Sequence, residues 1–115
     1  MTTAHTITIV PAQTHVQVKI GGQTVAESDR AMRLDETGLR PRYYLPAADV
    51  RTDLLRPSDL RTTCPFKGEA SYWSVQVGDE VHENVVWSYQ QPIKDAEGIT
   101  GLLCFYDEKV DQTVS

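Results

Sequence analysis

Long apolar segments and clusters of basic residues are both missing from this sequence. No apolar run approaches the roughly 20 residues that a membrane-spanning helix needs, and Met1–Val10 contains no apolar core of a secretory leader. We therefore expect a cytoplasmic protein with no membrane partner. The formal net charge is −5, and the 11 lysines and arginines are scattered along the chain. Because phosphate backbones are bound by clustered cations, we predict no nucleic-acid partner either.

Cysteine and histidine are scarce, with two and three copies respectively. None of these side chains shows the C-x-x-C or H-x-x-x-H spacing that structural zinc sites commonly use; they are His5, His15, Cys64, His82 and Cys104. We therefore predict no metal site, and no sequence feature indicates a cofactor. In a reducing cytosol the two cysteines are expected to remain free thiols.

The chain has 115 residues, the usual size of one domain, and 40% of them are apolar. A chain of this length buries about two-thirds of its unfolded surface and needs neither a disulfide nor a metal to hold a core. No linker, repeat or low-complexity segment divides it, so we predict a single domain over residues 1–115. No feature of the sequence indicates an oligomeric state.

Short runs in which apolar and polar residues alternate dominate the pattern that remains. Val16–Ile20 and Ser71–Val77 are the clearest, and the glycine pair after the first run favours a tight hairpin turn. Leu102–Tyr106 is apolar throughout, as expected for a strand buried on both faces. Such runs, separated by turn residues, are typical of a sandwich or barrel-like all-β domain.

Further strands and two short helical pieces are expected between these runs. The additional strand candidates are Thr6–Val10, Gln23–Glu27, Ala31–Leu34 and Val81–Tyr89. Helical turns are expected at Arg51–Pro57, which proline ends, and at Ile93–Glu97, which is too short for a stable helix.

The strand Ser71–Val77 also predicts which aromatic ring belongs to the core. Trp73 alternates with Val75 and Val77, whereas Tyr72 points to the opposite face. We therefore predict that Trp73 is a core residue and that Tyr72 is available to line a cleft.

Four ordered motifs occupy the centre and the end of the chain. They are R-P-x-x-Y-x-P-x-x-D-V at Arg40–Val50, C-P-x-K-G at Cys64–Gly68, W-x-Y-x-x-P at Trp87–Pro92, and F-Y at Phe105-Tyr106. In this order they resemble the domain-of-unknown-function 427 family, over roughly residues 15–110. The resemblance implies a mainly β fold, a small two-sheet antiparallel domain of sandwich or tent-like form with one or two short helical turns.

The same family is catalogued under a nucleotidyltransferase-like label, which the residues do not support. Nucleotidyl transfer needs two or three carboxylates close in space to hold the metal ions that bridge phosphate oxygens. No D-x-D or D-x-E stands directly after the Gly21-Gly22 turn, and no Walker loop is present. The best-spaced carboxylates are Asp49 and Asp53, and only if that piece is helical.

The Cys-Pro-x-Lys-Gly loop has two interpretations. Lys67 and the backbone N–H groups of a tight loop could stabilise a Cys64 thiolate, which would then act as a nucleophile or contact a bound ligand, with His82 as a distant candidate for its base. Alternatively, Cys64 is a small buried residue in a turn shaped by Pro65 and Gly68, as buried free cysteines commonly are.

Charged residues near this loop suggest an anion site. Arg40, Arg42 and Lys67 could surround a carboxylate or phosphate, with Asp49 and Asp59 orienting the arginines. The alternative is that Arg40 and Asp49 form a structural ion pair that closes the loop.

Aromatic residues are concentrated around the same stretches and could either fill the core or form the wall of a ligand cleft. The candidates for the wall are Tyr43, Tyr44, Tyr72, Trp87 and Tyr89.

These observations favour a binding module for a small anionic or aromatic molecule, in a cleft where Arg40–Asp49 and Cys64–Gly68 meet. One alternative is an enzyme that acts through Cys64 and Lys67 or through the arginine and aspartate set. A structural or protein-interaction role is the other alternative.

Overall fold

Ten β-strands account for most of residues 5–115, which the computed structural model describes. In chain order they are β1 Ile7–Pro11, β2 Val16–Ile20, β3 Gln23–Ser28, β4 Met32–Glu36, β5 Arg42–Leu45, β6 Leu55–Cys64, β7 Gly68–Val77, β8 Glu80–Ser88, β9 Leu103–Phe105 and β10 Asp111–Val114. The predicted mainly β class is confirmed. No helix within the described residues is long and apolar enough to cross a membrane.

The strands form two antiparallel sheets. Seven of them pair in the order β1–β4–β5–β9–β8–β7–β6, and the other three pair as β10–β2–β3. The predicted hairpin between β2 and β3 is present, and both glycines of its turn, Gly21 and Gly22, have positive φ angles of 58° and 82°. Positive φ at both central positions is what a type I′ hairpin turn requires.

One face of the seven-stranded sheet packs on the three-stranded sheet. Valines of β2 and β3 meet a row from the larger sheet that includes Leu45, Val75, Val86 and Phe105, all at most 1% exposed. We call this group the inter-sheet cluster. It gives the fold its main apolar core.

The opposite face of the seven-stranded sheet has a second buried group, which we call the outer cluster. It contains Leu34, Tyr44, Ala70, Tyr72, Trp87, Tyr89, Ala96, Ile99 and Cys104. Two of its members belong to a 3₁₀ segment, Lys94–Ile99, which contributes to the cover of this face. Burial on both faces explains why β9 is apolar at every position: Leu103 and Phe105 join the inter-sheet cluster and Cys104 joins the outer one.

The predicted helical piece at Arg51–Pro57 is largely wrong. Only Thr52–Leu54 makes a 3₁₀ turn, and β6 begins at Leu55 and runs through Pro57. Strand β6 is the edge of its sheet and pairs with β7 alone, so a proline without an N–H is tolerated there. Most side chains of β6 are exposed, so its sequence does not show the alternation of apolar and polar residues that indicates a strand.

The prediction that Trp73 is a core residue is correct for the face on which it lies but overstates its burial. Its ring packs against the inter-sheet cluster beside Val75, as predicted, but it is only half-buried. Tyr72, on the opposite face, is the more buried of the two, with 7% exposure, in the outer cluster. Trp73 lies opposite Pro57 of β6, the edge strand of this sheet.

We predict that Phe105→Ala lowers the free energy of unfolding by about 3–5 kcal/mol, because the ring is fully buried between the sheets. Trp73→Ala should cost about half of that or less, since its ring already contacts water in the folded state. Urea unfolding of both variants and the wild type measures the difference. Equal losses would show that Trp73 is a full core residue.

Candidate functional site

A cleft of about 190 Å³ opens on the outer-cluster face of the seven-stranded sheet. Five aromatic side chains line it, which are Tyr44, Tyr72, Trp87, Tyr89 and Tyr106. Its charged lining consists of Glu36, Arg40, Arg42 and Lys67. The cleft therefore combines an aromatic wall with a small number of polar groups.

Strand register explains why the aromatic rings converge. Tyr72 lies opposite Trp87, Trp87 lies opposite Cys104, and Cys104 lies opposite Tyr44, so the four form one row across β7, β8, β9 and β5. Side chains of directly opposed residues share one face of the sheet. Cys104 lies between Tyr44 and Trp87 in this row, and Trp87 donates a 3.0 Å hydrogen bond from its indole Nε1 to the Tyr44 hydroxyl.

Three of the four tyrosines that line the cleft, Tyr44, Tyr89 and Tyr106, have raised pKa values. Burial raises the pKa of Tyr44 and of Tyr89 well above the ordinary value, and burial together with the neighbouring Tyr72 hydroxyl raises the pKa of Tyr106 to about 12. At physiological pH these hydroxyls therefore offer hydrogen bonds and do not serve as bases.

A buried ion pair forms the polar end of the cleft. Lys67 Nζ donates to Glu36 Oε1, and the two side chains are 11% and 7% exposed. The second carboxylate oxygen of Glu36 lies 2.8 Å from Nε2 of His5, whose ring stacks on Phe66 at 3.8 Å between centroids. Burial alone raises the pKa of Glu36, but the hydrogen bonds and charges of Lys67 and His5 outweigh it, so the net pKa is lowered.

The turn that carries Lys67 is fixed by backbone contacts. The Lys67 N–H donates to the Cys64 carbonyl at 3.2 Å, and the Lys67 carbonyl accepts a hydrogen bond from the Ile93 N–H at 3.0 Å. Gly68 follows with a φ of +117°, and a Cβ there would lie 3.4 Å from the backbone of Pro92. A glycine is therefore required at the end of this loop.

Arginines occupy the other end of the cleft, each bound to a carboxylate. Arg42 donates to Asp107 at 3.0 Å and to Glu108 at 3.1 and 3.3 Å, and its guanidinium carbon lies 5.3 Å from the centroid of the Trp87 ring. Arg40 donates to Glu108 at 2.7 Å. The Arg42 guanidinium is the main cause that lowers the pKa of Glu108 to about 2, against a smaller opposing effect of burial.

Comparison with known proteins adds the family. The sequence model of a family described as "Domain of unknown function (DUF427)" matches residues 8–115, a range that contains all four motifs. The chain belongs to the DUF427 family. A search of curated proteins finds no match to it.

Seven of the ten residues predicted for a ligand site in this DUF427 domain line the cleft. They are Arg40, Arg42, Tyr44, Lys67, Tyr72, Trp87 and Tyr89. Arg40, Arg42 and Tyr44 of the first predicted stretch and Lys67 of the second therefore line one concavity. A ligand-binding role for these residues remains a prediction.

Tyr43 and Asp49 lie elsewhere. Tyr43 alternates with Tyr44 along β5, so it packs against the inter-sheet cluster on the far side of the sheet. Asp49 binds Arg30 at 2.8 Å and the Ser28 hydroxyl at 2.6 Å. The ion pair between Arg40 and Asp49, considered as an alternative to an anion site, does not form, because Arg40 binds Glu108 and Asp49 binds Arg30.

Cys64 also lies outside the cleft lining, half-buried against the outer cluster. It pairs with Gly68 at one end of β7, whereas His82 pairs with Val75 farther along the same strand, so the suggested base is remote from the thiol. Both cysteines are free, and burial raises the pKa of Cys104 well above its ordinary value. This arrangement does not favour thiolate chemistry.

Carboxylates are not grouped as nucleotidyl transfer requires. Asp49 binds Arg30, and Asp53 binds Arg51 at 2.8 and 2.9 Å. Within residues 5–115, no group of three or more histidine, cysteine, aspartate or glutamate side chains could hold a metal ion. The two best-spaced carboxylates thus serve separate ion pairs.

Several contributors to the site were absent from the sequence-based candidates. Glu36 binds Lys67 across 31 residues, His5 binds Glu36 across another 31, and Glu108 binds Arg40 across 68 residues. Of these additional site residues, only Tyr106 belongs to one of the four motifs, since it ends the F-Y motif.

We predict that Lys67→Met lowers the free energy of unfolding at neutral pH by about 3–5 kcal/mol, because it leaves a buried carboxylate without its main partner. Adding Glu36→Gln should recover part of that loss, since neither charge then remains unpaired. Urea unfolding of the single and double variants tests this, and strictly additive losses would contradict it.

The same pair predicts the direction of a pH effect. The folded-state pKa of Glu36 is lowered from 4.5, so its contribution to stability is complete above about pH 4.5 and is lost as pH falls through the folded value. Glu36→Gln should therefore lose less stability than the wild type as the pH falls below about 4.5. The measurement is urea unfolding of both proteins at a series of acidic pH values. If their free energies of unfolding fell equally with falling pH, the role assigned to Glu36 would be contradicted.

Proposed function

We propose that this DUF427 domain binds a small aromatic molecule in the cleft. The observation that carries the proposal is the convergence of five aromatic rings on one concavity of about 190 Å³. Pockets for drug-sized ligands usually enclose about 300 Å³ or more, so this cleft suits a molecule of roughly one ring system. Aromatic rings favour flat partners that stack or pack edge to face.

The charges of the lining favour an aromatic ligand over a highly charged one. Each of the three lining cations, Arg40, Arg42 and Lys67, already binds a carboxylate of the protein. A polyanion such as a nucleoside triphosphate would have to displace several of these carboxylates at once. The ion pairs therefore count against the polyphosphate substrates that the family label suggests.

The wall is also held in place before any ligand arrives. Trp87 is fixed by its hydrogen bond to Tyr44, and its ring lies 4.4 Å from the ring of Tyr106. The Tyr72 hydroxyl hydrogen-bonds with Thr62 at 2.8 Å. Such preorganisation lowers the entropic cost of binding, because few side chains must be ordered by the ligand.

The two alternatives have less support. An enzyme acting through Cys64 lacks a neighbouring histidine and a thiol in the cleft, and the wall tyrosines are held neutral. A purely structural or interaction role would leave the concentration of rings and charges in one concavity without a purpose.

We predict that Tyr106→Leu weakens the binding of phenol and of indole by about tenfold, because one ring of the wall is lost. Tyr43→Leu is the matched control: it removes a similarly half-buried tyrosine from the opposite face of the sheet. Ligand-observed NMR titrations of the two variants and the wild type measure the affinities. Equal weakening by both substitutions, or no binding to the wild type, would contradict the proposal.

A further inference from the structure

The Lys67 ammonium has hydrogen-bonding capacity that the protein does not use. An ammonium group carries three donors. Within residues 5–115 its one hydrogen bond goes to Glu36, and the side chain is only 11% exposed. Lys67 also lines the cleft, next to the aromatic wall. A buried charged group with unused donors is costly unless a further acceptor reaches it.

From this we infer that the aromatic ligand carries one carboxylate, which accepts hydrogen bonds from Lys67. The inference rests on the proposed function, because it names the chemical class of the ligand at the same site. It assigns Lys67 to the recognition of the acid group and the aromatic wall to the recognition of the ring.

The cationic nature of Lys67 favours an anionic acceptor for its unused donors. Glu36 is shared between Lys67 and His5, each of which contacts a different carboxylate oxygen. Glu36 therefore offers Lys67 only one of its two oxygens. A ligand carboxylate would meet the unused donors through a charge-assisted hydrogen bond, which is stronger than a neutral one.

The arginines are less suited to this role. Arg42 makes three hydrogen bonds to Asp107 and Glu108, and Arg40 donates to the same Glu108. These carboxylates stand beside the cationic groups that a ligand would need. A ligand acid at that end would compete with two protein carboxylates, whereas at Lys67 it competes with one that His5 also holds.

The test compares benzoate with benzamide, which have similar size and shape but differ in charge. The wild type should bind benzoate at least about tenfold more tightly than benzamide, since a hydrogen bond to a charged group is worth about this factor or more. In the double variant Glu36→Gln/Lys67→Met, which leaves no unpaired charge, this preference should disappear while benzamide binding persists. Lys19→Met, on the three-stranded sheet, is the control and should keep the preference.

The possible outcomes separate the two proposals. Equal affinity of the wild type for benzoate and benzamide, or a preference that survives in the double variant, would overturn the role of Lys67 while leaving an aromatic site. Failure of both probes, together with phenol and indole, would overturn the aromatic site itself. If the double variant does not fold, the single variant Glu36→Gln provides the test. Removing the carboxylate that competes for Lys67 should strengthen benzoate binding severalfold. Weaker or unchanged benzoate binding would overturn the inference.

Discussion

The three-stranded sheet covers only one face of the seven-stranded sheet, so the opposite face must bury its apolar surface by other means. That face has a short 3₁₀ segment for cover, and it fills the rest with large aromatic side chains from β5, β7 and β8. Tyr44, Cys104 and Trp87 stand in one cross-strand row on this face. Tyr44, Tyr72, Trp87 and Tyr89, which help to close the second face, also line the cleft.

Charges enter this apolar surface in pairs. Lys67 and Glu36 close one end of the cleft, and the arginines with Asp107 and Glu108 close the other. A buried pair is expensive to assemble, since both charges leave water, and an apolar replacement of similar volume is often as stable. Stability alone therefore does not explain why a buried pair lies beside the aromatic wall.

The sequence predicted the fold and most of the cleft because both depend on local patterns. Period-two alternation locates β2 and much of β7, and two motifs bring Arg40 and Lys67 to the same concavity. The failures involve interactions that no local pattern records. Arg40 pairs with Glu108 and not with Asp49, because the partner is chosen by the meeting of two distant loops. Strand β6 was missed because an edge strand with exposed side chains has no apolar period.

The indole resonances of the two tryptophans test the central claim most directly, because Trp87 lies in the cleft and Trp73 lies on the other face of the sheet. In a two-dimensional ¹H–¹⁵N spectrum, titration with benzoate should shift the Trp87 indole signal progressively and leave that of Trp73 in place. An unmoved Trp87 signal at saturating ligand, or a shift confined to Trp73, would contradict the account.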